Sequence, residues 1–444
     1  MNKAKIFTLT AILYISLFSN VFSLEIVRDV ELENFTKKIV TSLVKDSGID
    51  ADEINYYFIK SNEINAFVTS GNNIFINTEI LIAANDYREY AAVLAHELSH
   101  ILGGHIFRTK QEMNNLGSRA LPIYVLGILG ILGGASESGL ATLMVGTASV
   151  QDGFTYYSRT QEASADQAAI KLLCKSKIDA RYFLDFFDKI NLAIPYSPDK
   201  TSYRSTHPTI SERTTWVESA IQNQYNKCQY NKDVDLQKEF LLLKAKIFGF
   251  SHNANETRAI YKSDKDIDKY ARAVASYLSG DHDISINILE QLIANNPDNP
   301  YFRELIAEIH FSKHNYELAI KNQEISIKLL NEESDLLYMM IGNYHLANTS
   351  QSDHLGSIKF LKKSLRLNPK NTYSWYLLAK AYAEIGNIPL AEYATAERYY
   401  LTGNYEMAYQ FAVKSLKNIE KNSTEWYRAN DLLNIISNMQ SQDS

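Results

Sequence analysis

The 444-residue chain is poor in the residues that interrupt regular secondary structure, with only 8 Pro and 18 Gly. A large all-β protein needs many turns, and most turns depend on these two residues. Hydrophobic residues make up 45% of the chain and charged residues 22%, so long disordered tracts are not expected. We therefore predict a mostly α-helical protein, and the length is compatible with about three domains.

The chain also lacks a basic surface and a disulfide framework. Its formal net charge is −6, and no block of Lys or Arg occurs, which excludes nucleic acid as the main partner. Its only cysteines are Cys174 and Cys228. In an oxidising compartment they could form one bridge or stay as two buried thiols, and the sequence does not decide between these alternatives.

The N-terminus has the pattern of a secretory signal peptide. Lys3 and Lys5 precede an apolar run from Ile6 to Phe18, and Val21 and Ser23 occupy the −3 and −1 positions of a cleavage site. The run is too short to span a bilayer comfortably, which favours cleavage over an uncleaved anchor. We predict that residues 1–23 are removed and that the mature chain is exported.

A second apolar stretch, rich in glycine, covers residues 119–153. Residues 136–138 (SES) divide it into pieces that are each too short to cross a membrane. We predict a buried or interfacial helical hairpin. Peripheral membrane contact through this stretch, or an integral-membrane protein built around it, remain as alternatives.

The character of the sequence changes near residue 230, and we predict one domain at 24–225 and another at 236–444. The first region is heterogeneous. An amphipathic helix is expected at 25–48 and a second helix from about 86 to 113. Between them lie three β-branched and aromatic runs typical of strands, at residues 54–60, 64–69 and 73–77, with a turn at Gly71-Asn72-Asn73.

The second region repeats with a period of about 34 residues. Units begin near residues 266, 300, 335 and 372, and the third needs a short insertion around 349–354. Small and aromatic residues recur at fixed offsets. The pattern resembles tetratricopeptide repeats, which are stacked helix pairs, although an unrelated helical bundle is the alternative. Such an α-solenoid offers a surface to other proteins and carries no chemistry of its own.

Residues 96–100 read HELSH, the HExxH pattern of zinc peptidases. On a helix His96 and His100 lie one turn apart on one face, so both imidazoles can reach one zinc ion. Glu97 is then placed beside the metal as a general base. The flanking residues are apolar, which indicates a buried helix, and buried imidazoles without a metal would be costly.

The third ligand has to come from elsewhere in the chain. The pattern HExxHxxGxxH would need a histidine at 106, but Ile106 stands there, and we interpret His105 as a supporting residue. The better candidate is Glu162, with Asp166 four residues later on the same predicted helix. Asp166 could accept the remote N–H of an imidazole. The alternative is a pair of solvated carboxylates.

HELSH and the later SRTQEASAD (158–166) resemble the gluzincin family of zinc metalloproteases, which includes the CAAX-prenyl endopeptidases. The strand pair before the zinc helix and the Ser205-Thr206-His207-Pro208 segment followed by Glu212-Arg213 match the same family. The resemblance implies one Zn²⁺ per chain on His96, His100 and Glu162, with Glu97 as catalytic base. It also implies that Asp166 orients a ligand and Arg213 approaches the carboxylates. His207 would fill the open zinc position in a resting state.

From this resemblance we expect a periplasmic zinc endopeptidase, with an α+β protease domain and an α-solenoid, that degrades misfolded or stalled outer-membrane proteins. The strand at 73–77 would hold an extended substrate by β-augmentation. The repeats would bind clients or outer-membrane assembly proteins. The alternative is a chaperone or scaffold for outer-membrane assembly in which the zinc site is structural or silent.

Overall fold

The computed structural model describes residues 25–45, 47–106, 157–193, 207, 210–225, 227–348 and 350–442. These residues form eighteen α-helices and one four-stranded sheet, which confirms the predicted mostly α-helical fold with a small sheet. The expected signal peptide at 1–23 and the apolar stretch at 119–153 lie outside the described residues. Within them, no helix is both long enough and apolar enough to cross a membrane.

The first part of the chain contains the whole sheet and one long helix. Its elements are β1 (Ile26–Val27), α1 (Val30–Val44), a 3₁₀ turn (Ala51–Glu53), β2 (Asn55–Ile59), β3 (Ala66–Thr69) and β4 (Asn73–Asn77). The three predicted strands are confirmed. The helix expected at 25–48 is shorter, because the side chain of Asp29 caps its start by accepting from the N–H of Leu32.

The strand order is β1-β2-β4-β3, so β4 lies inside the sheet. It pairs with β2 in parallel and with β3 antiparallel, across a turn in which Gly71 and Asn72 have positive φ. The expectation that residues 73–77 bind substrate by β-augmentation is therefore wrong, since neither edge of β4 is free. The outer strand on this side is β3.

The helices that follow enclose the candidate site. They are α2 (Thr78–Ala83), α3 (Tyr87–Leu102), α4 (Arg159–Lys175), α5 (Arg181–Ala193) and α6 (Ile210–Tyr225). Helix α3 is buried continuously from Tyr87 to His100 and packs against α4 and α5. Cys174 and Cys228 form a disulfide with their Cα atoms 5.4 Å apart, which links the end of α4 to the segment after α6.

Helix α7 (Val234–Ser251) joins the two parts of the molecule, and α8 (Ala254–Ile260) follows it. The ring of Phe240 lies 5.8 Å from Phe35 and 6.4 Å from Tyr90 in the first core. Leu242, on another face of α7, belongs to the core of the repeats. The change of sequence character near residue 230 therefore leads into a helix that both parts share.

Ten further helices form five antiparallel pairs: α9 (Asp266–Leu278) with α10 (His282–Asn295), α11 (Pro300–Ser312) with α12 (Tyr316–Leu329), α13 (Asp335–Ala347) with α14 (Gln351–Leu367), α15 (Thr372–Glu384) with α16 (Ile388–Leu401), and α17 (Tyr405–Leu416) with α18 (Thr424–Gln442). The first four pairs begin at the positions where the repeat units were predicted. Helix α14 has 17 residues where α10 and α12 have 14, which accounts for the insertion in the third unit.

Candidate metal centre

Helix α3 brings the two histidines of HELSH together. The helix starts at the cap Asp86, whose side chain accepts from the N–H of Arg88. One turn separates His96 from His100, and their Nε2 atoms lie 3.1 Å apart. Both imidazoles are buried.

Helix α4 supplies two carboxylates from the opposite side. A capping box at Ser158 fixes its start. Glu162 lies with one oxygen 3.5 Å from Nε2 of His96 and the other 3.5 Å from Nε2 of His100. Asp166, one turn later, places Oδ1 3.0 Å from Nδ1 of His96. The sequence spacing thus puts one carboxylate at the histidine pair and the other behind it.

His207 precedes α6 and completes the cluster. Its Nδ1 atom is 3.3 Å from Nε2 of His96 and 3.0 Å from Oε1 of Glu162. Its Nε2 atom is 3.2 Å from the carbonyl oxygen of Ala66 on β3 and 3.3 Å from Oε1 of Glu97. One donor atom each from His96, His100, Glu162 and His207 lie within 4.8 Å of one another, and all four side chains are buried.

Glu97 lies against this cluster without a hydrogen bond from any described residue to either carboxylate oxygen. Burial alone would raise its pKa, but the nearby His207 imidazole, together with His96 and His100, holds the pKa below its ordinary value. The carboxylate is therefore ionised, buried and free to accept a proton.

Arg213 on α6 holds the two α4 carboxylates. Its Nη1 atom is 2.7 Å from Oε2 of Glu162, and its Nη2 and Nε atoms are 2.7 Å and 2.9 Å from the two oxygens of Asp166. Burial would raise the pKa values of both acids. His207 and then Arg213 overcome this effect at Glu162, and Arg213 does so at Asp166, so both pKa values lie below their ordinary range.

Two supporting residues complete the surroundings. Nδ1 of His105 lies 3.0 Å from Nδ1 of His100, which agrees with a supporting place for this residue. The ring of Tyr157 lies 3.7 Å from that of His100 and 5.7 Å from that of His207. The sequence reasoning missed Tyr157, although its place just before the start of α4 could have drawn attention to it.

The donor set suits a divalent metal of the zinc type. Asp166 is an ionised carboxylate and can only accept a hydrogen bond, so the proton of His96 lies on Nδ1. The Nε2 atom of His96 therefore carries the lone pair, and it faces Nε2 of His100. Burial alone would lower the pKa of His207, yet the facing carboxylates of Glu162 and Glu97 raise it to about 10. The cluster thus stabilises positive charge, and two imidazoles with a carboxylate are ligands that zinc prefers.

Family models match both parts of the chain. Peptidase family M48 matches residues 31–221, which include every residue of the candidate metal centre. Models of the tetratricopeptide repeat match residues 270–323 and 360–397.

Curated relatives match along most of the chain. The β-barrel assembly-enhancing protease of Yersinia pestis is 25% identical over 398 residues, which are 87% of this chain and 79% of the relative. The protein of that name in Escherichia coli K12 is 23% identical over 87% of this chain and 79% of the relative. Metalloprotease LoiP of Escherichia coli K12 is 29% identical over 38% of this chain and 64% of the relative. The chain is therefore a metalloprotease whose first region matches the M48 peptidase model and whose second region matches tetratricopeptide repeats, and it is similar along most of its length to the β-barrel assembly-enhancing proteases.

Proposed function

We propose that the chain is an exported zinc endopeptidase that cleaves unfolded or stalled outer-membrane proteins in the periplasm. The observation that carries the proposal is the buried convergence of His96, His100 and Glu162 beside the buried, ionised carboxylate of Glu97. The predicted signal peptide supports export. The name shared by the most similar relatives supports a task in β-barrel assembly.

His96, His100 and Glu162 are the proposed zinc ligands. When bound, zinc supplies a Lewis acid that activates water and polarises the carbonyl of the scissile peptide bond. Asp166 keeps the proton of His96 on Nδ1 so that Nε2 remains a ligand atom. Arg213 balances the charge of Glu162 and Asp166 and prevents their side chains from turning away.

Glu97 is the proposed general base and acid. Its carboxylate is ionised and close to the ligand atoms, so it can take a proton from the attacking water. It then delivers that proton to the nitrogen of the leaving amine. Such proton transfer typically accounts for about 10²–10⁴-fold in rate.

His207 is proposed to close the site in a resting state. Its imidazole occupies a fourth donor position and also reaches the carbonyl oxygen of Ala66 on β3. A peptide that pairs with the outer edge of β3 would compete for that carbonyl. Substrate binding and displacement of His207 would then be coupled through one main-chain group.

The tetratricopeptide repeats are the proposed binding region for clients or outer-membrane assembly proteins. Stacked helix pairs expose a large surface that suits protein partners. No sequence-specific cleavage pocket is needed if the repeats select the client and β3 holds it through main-chain hydrogen bonds.

A second candidate function follows from the number of donors. Four protein side chains that close around a metal are typical of structural sites, whereas catalytic sites keep an open position. With His207 fixed in place, the chain would act as a scaffold or chaperone through its repeats. The two candidates differ in whether His207 leaves the site.

Cleavage of an unfolded, carboxymethylated protein distinguishes them. The mature wild type, Glu97→Gln and His207→Ala are compared at equal zinc content, with His282→Ala in the repeats as a matched control. We expect slow cleavage by the wild type and by the control, faster cleavage by His207→Ala, and a loss of about 10³-fold for Glu97→Gln.

Absence of cleavage by the wild type and His207→Ala, with zinc bound to both, would contradict the endopeptidase and favour the scaffold. Cleavage by Glu97→Gln at the wild-type rate would point to a contaminating protease or to another base.

A further inference from the structure

A cavity of about 1040 Å³ lies between the sheet of the protease part and the third and fourth repeats. Its lining comes from the β1 and β2 side of the sheet and from helices α13, α15 and α16. None of the residues of the candidate metal centre lines it. Cavities for drug-sized ligands measure roughly 300–1,000 Å³, so this one can hold a short segment of polypeptide.

One wall of the cavity is an incompletely paired strand. The short β1 pairs only with Phe58 and Ile59, and its register leaves the start of β2 without a partner on that side. Alternate residues of a strand direct their main-chain groups to the same edge. Lys60 donates to Glu25 on the β1 side, so Tyr56 presents its N–H and C=O to that side too, next to the cavity. Tyr56 is half-buried, and this incompletely paired segment can accept an added strand.

The opposite wall carries exposed aromatic rings. Tyr373 and Tyr376 on α15 are 50% and 38% exposed, and their rings are stacked 5.9 Å apart. Tyrosine rings with a free face and a polar end are typical contact residues of protein interfaces. Aromatic or long apolar side chains of a bound segment would pack here.

The unbalanced charge at the cavity is positive. Its carboxylates are engaged: Asp335 lies 3.4 Å from Arg28 and accepts from Asn368, and Glu33 also pairs with Arg28. Lys370 is exposed and Arg398 lies over the ring of Tyr376 at 5.1 Å. Within the described ranges neither of these two cations lies within 4.0 Å of a carboxylate.

We propose that this cavity binds an extended segment of a client protein that carries an acidic side chain close to an aromatic one. The segment adds to β2 at Tyr56 and packs its ring on Tyr373 and Tyr376. Its carboxylate lies between Lys370 and Arg398. This proposal rests on the proposed function in one respect, which is that the bound peptide is identified as a client of the protease.

Binding is measured by fluorescence anisotropy with a synthetic peptide in which tyrosine and aspartate recur among serine and threonine, acetylated and amidated at its ends. Its twin has asparagine for every aspartate. The full mature chain carries Glu97→Gln so that the peptide is not cut. We expect the acidic peptide to bind more tightly than its twin, and more weakly as salt rises.

The double variant Lys370→Gln/Arg398→Gln should weaken the acidic peptide about tenfold, since two ion pairs of roughly 0.7 kcal/mol each are lost. It should also remove the difference from the twin. Tyr373→Ser should weaken both peptides. The matched controls are Lys328→Gln, an exposed lysine of α12 outside the cavity, and Tyr427→Ser, a ring that is 52% exposed on α18.

Equal binding of the acidic peptide and its twin to the parent chain would overturn the proposal, as would equal weakening by the cavity and control variants. Binding that appears only when the peptide ends in a free carboxylate would show that the cavity recognises a chain terminus and not an internal acidic side chain. That result would also overturn the proposal. Circular dichroism melts exclude misfolding as the cause.

The proposed protease activity is tested separately in chains that retain Glu97. If these cleave nothing while the cavity variants lose the acidic peptide, the cavity proposal stands and the protease proposal fails. If the wild type cleaves unfolded protein while no peptide binding is seen in the Glu97→Gln chain, the protease proposal stands and the cavity proposal fails.

Discussion

Two clusters of buried charged residues in this molecule shift the pKa values of their carboxylates in opposite directions. At the candidate metal centre, cations and imidazoles outweigh burial and hold the pKa values of Glu162 and Asp166 low. The other cluster lies at the junction of α1, α7 and α11. There burial outweighs Lys246 and raises the pKa of Glu31 to about 7 and that of Glu304 to about 8.

The difference lies in the number of countercharges. In the junction cluster, Lys246 is 2.7 Å from Asp29, 3.4 Å from Glu31 and 4.0 Å from Glu304, so one cation serves three acids. Glu308, Tyr270 and Tyr301 also face the group. In the metal cluster Arg213 is joined by three imidazoles and, as we propose, by zinc. Burial therefore determines the free-energy cost of ionising a carboxylate, and the number of neighbouring cations determines whether the carboxylate stays ionised.

The largest expected effect on the free energy of unfolding comes from removing the cation of each cluster, and this change tests the comparison directly. Arg213→Met leaves two ionised acids buried, and we expect a loss of about 3–5 kcal/mol in the free energy of unfolding at pH 6. Lys246→Met should cost roughly half as much at this pH, because Glu31 and Glu304 are mostly protonated there. Urea unfolding of both variants gives the two values. Equal losses at pH 6 would show that the clusters do not differ.

The disulfide is a further difference, since it supports the metal cluster alone. Cys174 lies in the last turn of the helix that carries Glu162, and Cys228 follows the helix that carries Arg213. The bridge spans 54 residues, and we expect Cys174→Ser/Cys228→Ser to lose about 2–4 kcal/mol. Reduction of the wild type should cause the same loss in urea unfolding. An unchanged midpoint after verified reduction would contradict the expectation.

Much of the metal cluster could be predicted from the sequence because its residues lie in short, local sequence patterns. HELSH places two proposed ligands one helical turn apart, and Glu162 and Asp166 are again one turn apart. The placement of His207 and Arg213 came from the family resemblance, and the structure puts both side chains against Glu162. The positions of the repeat units followed from their period.

The sequence did not reveal features that depend on distant partners. The interior place of β4 depends on its parallel pairing with β2, which nothing in residues 73–77 indicates. The closeness of Cys174 and Cys228 required the packing of α4 and α6. The junction cluster was missed because Lys246, Glu31 and Glu304 each look like an ordinary charged residue of an amphipathic helix.

A substitution with a smaller expected effect tests the role of Asp166 in the metal cluster. Asp166→Asn keeps the shape of the side chain but no longer fixes the proton of His96 on Nδ1, since an amide can also donate to that atom. We expect zinc affinity to fall about 10–100-fold. Competition with a chromogenic chelator measures the affinity. Glu317→Gln, an exposed acid in the repeats, is the matched control and should leave it unchanged.

The smallest expected effect is the pH dependence of the junction cluster. The raised pKa values mean that Glu31 and Glu304 stabilise the folded state fully below about pH 4.5, their ordinary pKa. This contribution is lost as pH rises through about 7 and about 8. We expect the wild type to lose roughly 1–2 kcal/mol between pH 7 and 9 from these groups. Glu304→Gln, which stays neutral, should lose less, whereas Glu317→Gln should behave like the wild type. Melting temperatures across this range provide the measurement, and parallel curves for the wild type and Glu304→Gln would mean that Glu304 does not titrate there. If the acid is ionised throughout, the contrast between the two clusters disappears, because both then hold their carboxylates as anions.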